Sequence, residues 1–387
     1  MAERLSPRDL LEKLVSFPTV SSESNLPLVE WIEAYLASHG ITANRHYDDT
    51  GNKAALFAHV GPDKTGGVVL SGHTDVVPVE GQPWESDPFT VLEKDGRLYG
   101  RGTCDMKGFD ALAIWALVEA QYADVKRPLQ LALSYDEEIG CVGAPGMIAA
   151  MQEVLPKASA VIVGEPSMMK TVSGHKGTMG YQVHLRGFEV HSSMLHRGVS
   201  AIMSGAKLID WGNVKNAEGQ AGEPSEMASV FDPPFTTVHV GMIEGGVAHN
   251  ITAKDCRFEL DFRTVPGDRL AEWQAAFLAK VDEVQAEMQA VVPETGIDLV
   301  EGFNVPALAP EENGEAEALV RRLTGDNSSN VVSYATEGGQ FQEAGYSAVV
   351  CGPGDIAQAH QPNEYLEVSQ LEAGQEFMHK LIKELAG

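Results

Sequence analysis

Residues 68–79 read VVLSGHTDVVPV, a short apolar run that ends in a histidine and an aspartate two positions apart, His73 and Asp75. The run is too short for a buried helix and is bounded by glycines, which makes it a buried strand. The same rhythm recurs downstream. GGVVLSG (66–72), the helical FDALAIWALVEAQ (109–121), LQLALSY (129–135), a helix near GAPGMIAAMQ (143–152) and SAVIVG (159–164) alternate strand with helix. Such alternation specifies an α/β domain with a mostly parallel central sheet, whose ligands gather at the carboxyl ends of the strands.

Toward the N-terminus, residues 6–16 and 26–39 have helical periodicity, the second closed by Gly40. Beyond residue 178 the order changes to strand, helix, strand, strand, helix, strand, through YQVHLRG, GVSAIMSGAKLIDWG, TTVHVGMIEG, CRFELDFRTV, RLAEWQAAFLAKVDEVQAEMQ and IDLVEG. This βαββαβ series is the ferredoxin-like arrangement, complete in itself. The α/β pattern then resumes with SAVVCG (347–352) and a closing helix. The expected organisation is a first part of the larger domain over 1–177, an inserted domain over 178–302, and the rest of the larger domain over 303–387. NAEGQAGEPSE (216–226) is expected to be an exposed loop.

The 387 residues, 43% of them apolar, suffice for two to three packed domains. No run approaches the roughly 18 apolar residues of a membrane span, and the N-terminus is charged from its third residue. Four cysteines without a CxxC pair suggest a reducing, cytoplasmic setting. A formal charge of −27 argues against a nucleic-acid partner.

The residues just beyond the apolar runs of the larger domain are rich in histidine and acid. His73 and Asp75 come after the first run; Asp105 stands in YGRGTCDMKG before a helix; Asp136, Glu137 and Glu138 come after LQLALSY; Glu165 after SAVIVG; His360 after SAVVCGPGDIAQA. A lone histidine after a strand is most often a hydrogen-bonding loop residue, and an acidic pair in a loop is usually solvated. Together, though, these residues converge on one sheet edge, where like charges and desolvation resist ionisation unless a cation is present. A divalent metal resolves the conflict.

With SGHTDVVP, GRGTCDMKG, DEEIGCVG, GEPS, HKGTMGYQVHLRGFEVHSS and GPGDIAQAHQPNEYL in order, the sequence resembles the M20 metallopeptidase and deacylase family along essentially its whole length, and within it the acetylornithine deacetylases. The resemblance implies a zinc-peptidase-like catalytic domain with an inserted dimerisation or lid domain, a homodimer, and two divalent metals per chain, zinc with cobalt able to substitute. It assigns His73 and Glu165 to one metal, Glu138 and His360 to the other, and Asp105 to both. In an extended segment i and i+2 point the same way, so Asp75 would orient His73 through the ring nitrogen not used for metal. Glu137, turned away from Glu138 on an extended chain, would be the general base. The resemblance further implies that His191 reaches an oxyanion across a dimer, and that Asn250 and Arg263 contact the substrate carboxylate.

The implied reaction is deacetylation of an N-acyl amino acid, N2-acetyl-L-ornithine, in arginine biosynthesis. Succinyl-diaminopimelate desuccinylases, N-acyl amino acid deacylases and dipeptidases are the competing readings. In ATEGGQF (335–341), Glu337 adds an acid and Gln340 stands where those desuccinylases have arginine, which favours a substrate ending in an amine with Glu337 as its contact. A catalytically silent metal-binding protein would have no use for Glu137.

Overall fold

The computed structural model describes residues 3–387. Its apolar runs are strands: Leu129–Ser134, Val68–His73, Ala160–Pro166 and Ala348–Gly352 are parallel neighbours in that order, every residue buried. Their near-continuous hydrophobicity reflects burial on both faces. Ala54–Val60 and Ala43–Tyr47 extend the eight-stranded sheet antiparallel at one side. The helix Lys107–Tyr122 packs against the parallel strands, with Pro7–Val15 and Val368–Ala386 against it in turn. Pro7–Val15 begins at a capping box in which Ser6 and Asp9 satisfy each other's backbone N–H groups.

Chain contacts divide the described residues into two compact units, one running to residue 174 and including 310–331 and 336–387, the other of 175–309 and 332–335. The second unit has a four-stranded antiparallel sheet in the order Thr237–Gly245, Asp255–Thr264, Gly177–Arg186, Gly296–Val305, with helices Ala201–Ala221 and Leu270–Val291. Alternate residues of Asp255–Thr264 are buried, as period-two patterning requires of a sheet with one covered face. Phe258, Phe262, Trp211 and Phe277 fill that core.

The loop expected at 216–226 begins later, because its first residues continue the helix Ala201–Ala221. Asn216 explains this: its side chain donates to Val238 O at 2.7 Å and accepts from Val238 N at 2.8 Å, tying that turn to the neighbouring strand. Tertiary hydrogen bonds here override weak local propensity. Among the described residues no helix is long and apolar enough to cross a membrane.

Candidate metal centre

His73 is the last residue of its strand and 1% exposed. Its Nε2 faces a pool of acid: Asp105 Oδ1 at 3.2 Å, Glu165 Oε1 at 3.6 Å and Glu137 Oε2 at 3.8 Å. Its Nδ1 faces Asp75, but the backbone oxygen is nearer (2.9 Å) than Oδ1 (3.5 Å). The Asp75 carboxylate has other duties as well. It accepts hydrogen bonds from Ser21 Oγ at 2.7 Å and from the backbone N–H groups of Glu137 at 3.1 Å and Glu138 at 3.3 Å. Asp75 thus couples His73 to the acidic turn.

Asp105 is shared between the histidines, its Oδ1 toward His73 and its Oδ2 3.2 Å from His360 Nε2. The same His360 nitrogen lies 2.9 Å from Glu138 Oε2. Glu137 and Glu138 do diverge, one toward His73 and the other toward His360, but from a turn rather than an extended segment, with the N–H groups of Gly140 and Cys141 donating to Glu137 O. Glycines precede two of these residues for a steric reason. A Cβ on Gly72 would lie 2.2 Å from Asp110 Oδ1, and one on Gly164 1.9 Å from the Phe109 ring, so the helix Lys107–Tyr122 can approach His73 and Glu165 only because side chains are missing there.

Burial acts first on every acid here. It pushes the Glu137 carboxyl up to about 8 and Glu138 up to about 7, and holds Glu165 well above the carboxylate range, with neighbouring acids adding to the effect. Asp105 moves down because hydrogen bonds from His360 and His73 outweigh its burial. Burial also opposes charge on His73, yet Asp105 and Asp75 hold it well above its usual value; His360, bonded to Asp105 and Glu138, rises to about 10. The cluster as a whole favours positive charge at its centre. Glu138 Oε1 is buried and accepts no hydrogen bond. Donor atoms of His73, Glu137 and Glu165, and of His73, Asp105 and Glu138, lie within 4.8 Å of one another. Imidazole and carboxylate donors with unmet negative charge fit divalent cations of the zinc type.

Behind the centre is a brace. Glu364 accepts the backbone N–H of Cys104 at 2.9 Å and of Asp105 at 3.0 Å through one oxygen, and pairs with Arg101 through the other, both side chains being 1% exposed. Arg101 continues to Gln82, whose amide donates to His360 O at 3.0 Å. The short strands Arg97–Tyr99 and Tyr365–Glu367 pair antiparallel beside it, holding the loops of Asp105 and His360 side by side. His360 needs this support, since its φ of +64° lies in the left-handed region that non-glycine residues rarely adopt.

Comparison with known proteins finds that residues 69–384 match the model of the peptidase family M20/M25/M40. The chain belongs to this family. This M20 chain is similar to the acetylornithine deacetylase of Myxococcus xanthus, 36% identical over 94% of this chain and 93% of that one, and to that of Proteus mirabilis (strain HI4320), 30% identical over 97% and 95%. Solved structures bear out the fold: an M20 metallo-carboxypeptidase from Sulfolobus solfataricus superposes with a TM-score of 0.80 at 17% identity, covering 100% of both chains, and a tripeptidase from Staphylococcus aureus with 0.74 at 18%, covering 99% of this chain and 100% of that one.

Three sequence-selected residues of the M20 chain lie in the second unit. His191 is exposed, its Nδ1 2.9 Å from Ser193 Oγ, and the N–H of Ser192 donates to Asn250 O at 2.9 Å, so the His191 and Asn250 segments run together. Arg263 Nε donates to Asp261 Oδ2 at 3.1 Å. Glu337 lies in the first unit, 1% exposed, and accepts from Ser71 Oγ and Ser134 Oγ. Arg101 and Glu364 both stand inside motifs of the family resemblance, but 263 residues apart, and nothing in the sequence signals that they pair.

Proposed function

We propose that this chain is a dinuclear, metal-dependent amide hydrolase that removes the acetyl group from N2-acetyl-L-ornithine. The observation that carries the reading is the shared Asp105, one oxygen toward each histidine, with Glu165 beside His73 and Glu138 beside His360. His73 and Glu165 would hold one ion, Glu138 and His360 the other, and Asp105 both. Bound divalent ions, zinc in the first instance, would supply Lewis acidity to a water and an acyl carbonyl there.

The chain's own residues supply the rest. Asp75 fixes the His73 ring and, through two backbone N–H groups, the turn that aims Glu137 and Glu138. Glu137 takes the water's proton at its carboxylate and delivers it to the departing amine. Burial raises its carboxyl above the usual carboxylate range, and bound cations beside it would draw it back down, toward the value a proton shuttle needs. Asn250 and Arg263 bind the substrate carboxylate, the guanidinium by a charge-assisted pair. His191 faces the oxygen that gains negative charge, and it does so across a homodimer formed by the inserted domain of 178–302. Preference for acetylornithine rests on the relatives that carry that name.

The test is a substrate panel on zinc-loaded protein: N-acetyl-L-ornithine, N-acetylmethionine, N-succinyl-diaminopimelate and a dipeptide, each assayed by liberated amine. The highest kcat/KM should belong to N-acetyl-L-ornithine. A higher value for the succinyl compound or the dipeptide would replace the proposed substrate, and full activity without divalent metal would overturn the mechanism.

A further inference from the structure

Glu337 is placed to do something other than meet a substrate amine. Its carboxylate spans two adjacent parallel strands. One oxygen accepts from Ser71 Oγ at 3.1 Å, on the strand Val68–His73, and the other from Ser134 Oγ, on the strand Leu129–Ser134. In the register of that pair Ser134 stands opposite His73, and Ser71 is two residues before it on the same face. Beyond these serines the strands leave the sheet toward their chemistry, one into His73 and Asp75, the other into Glu137 and Glu138. Thr74 adds a second tie, its N–H and its hydroxyl both donating to Ser134 O, at 3.0 and 2.8 Å.

A carboxylate is a costly choice for so dry a place. Burial raises the Glu337 carboxyl to about 7, against the pull of the Ser134 hydroxyl and the His73 charge. Both carboxylate oxygens are already engaged, each by a serine hydroxyl, and the side chain is 1% exposed. Partners bonded directly to metal-binding side chains typically change metal affinity or activity 10–100-fold when removed; Glu337 acts one step further back, through Ser71 and Ser134, and its removal is expected at or below the lower end of that range.

We infer that Glu337 is a positioning residue, clamping the His73 strand to the strand of the acidic turn so that His73 and Glu138 are set for metal, and that it does not contact the substrate's side chain. This rests on the dinuclear reading above, while its first readout is metal binding itself. Zinc affinity is measured by chelator competition on metal-stripped Glu337→Ala, Glu337→Gln and the double variant Ser71→Ala/Ser134→Ala, with kcat and KM on N-acetyl-L-ornithine and on N-acetylnorvaline, which lacks the terminal amine. Glu337→Ala should weaken zinc binding up to about 10-fold and lower kcat equally on both substrates, leaving their ratio of KM values unchanged. Glu337→Gln should recover most of the affinity, and the serine double variant, which keeps the acid, should reproduce the loss even if Glu337→Ala does not fold. A KM increase confined to N-acetyl-L-ornithine, with zinc affinity intact, would overturn the inference in favour of an amine contact. Lowered thermal stability with unchanged zinc affinity and kcat would overturn it in favour of a plain packing role. If the wild type turned over neither substrate, the proposed substrate would fall, but the zinc measurements would still decide the clamp.

Discussion

The metal-site edge of the first unit and the candidate surface of the second use the same side-chain types under opposite constraints. His73 is 1% exposed and held at both ring nitrogens, whereas His191 is exposed with a serine beside one. Arg101 is sealed against Glu364 and also reaches Gln82, while the Arg263 side chain is 39% exposed and touches Asp261, two residues away on its own strand. The difference teaches where precision resides. In the first unit His73, Asp75, Asp105 and Arg101 are each held by a partner that is itself buried, whereas His360 reaches solvent. In the second, the candidate contacts are exposed and lightly held, so if they serve the substrate their removal should appear in substrate terms and barely in stability.

The largest effect expected is from Asp105→Ala, which should abolish turnover and leave less than one bound zinc per chain by elemental analysis. Retention of two ions would break the view that Asp105 is shared. Glu137→Gln sharpens the same region, with metal content kept and kcat lowered about a hundredfold to ten-thousandfold. Wild-type turnover in that variant would reduce Glu137 to a bystander.

Glu364→Ala leaves Arg101 buried without its partner and the N–H groups of Cys104 and Asp105 unmet. It should cost about 3–5 kcal/mol in chemical denaturation of the metal-free protein. His191→Ala, by contrast, should lower kcat about 10²–10³-fold, as for loss of one donor to a developing oxyanion, with no change in metal content. If His191 serves the partner's site, mixing this variant with Glu137→Ala should restore activity, since one site of each mixed dimer carries neither defect. No recovery despite proven subunit exchange would confine His191 to its own chain.

Arg263→Ala should have the smallest effect on stability, within about 1 kcal/mol because its ion pair is exposed, while raising KM for N-acetyl-L-ornithine. Equal destabilisation by Arg263→Ala and Glu364→Ala would erase the contrast between the two units.

Much of this molecule was legible before its structure. Strand positions could be read because burial on both faces leaves a continuous apolar signature, as in VVLSG and AVIVG, and a chain leaving such a strand must emerge at the sheet edge. The types and order of His73, Asp105, Glu138, Glu165 and His360 are set by the sequence for that reason, and so is the βαββαβ series, whose periods are local. What side chains meet is another matter. The sequence does not reveal that Asp75 holds the acidic turn as well as His73, that Glu364 supports Asp105 from 259 residues away, or that Glu337 is enclosed between Ser71 and Ser134. Those contacts were decided by the tertiary structure, because hydrogen bonds and ion pairs depend on distance and direction in space, and packing strands side by side brings together residues whose separation along the chain carries no trace of it.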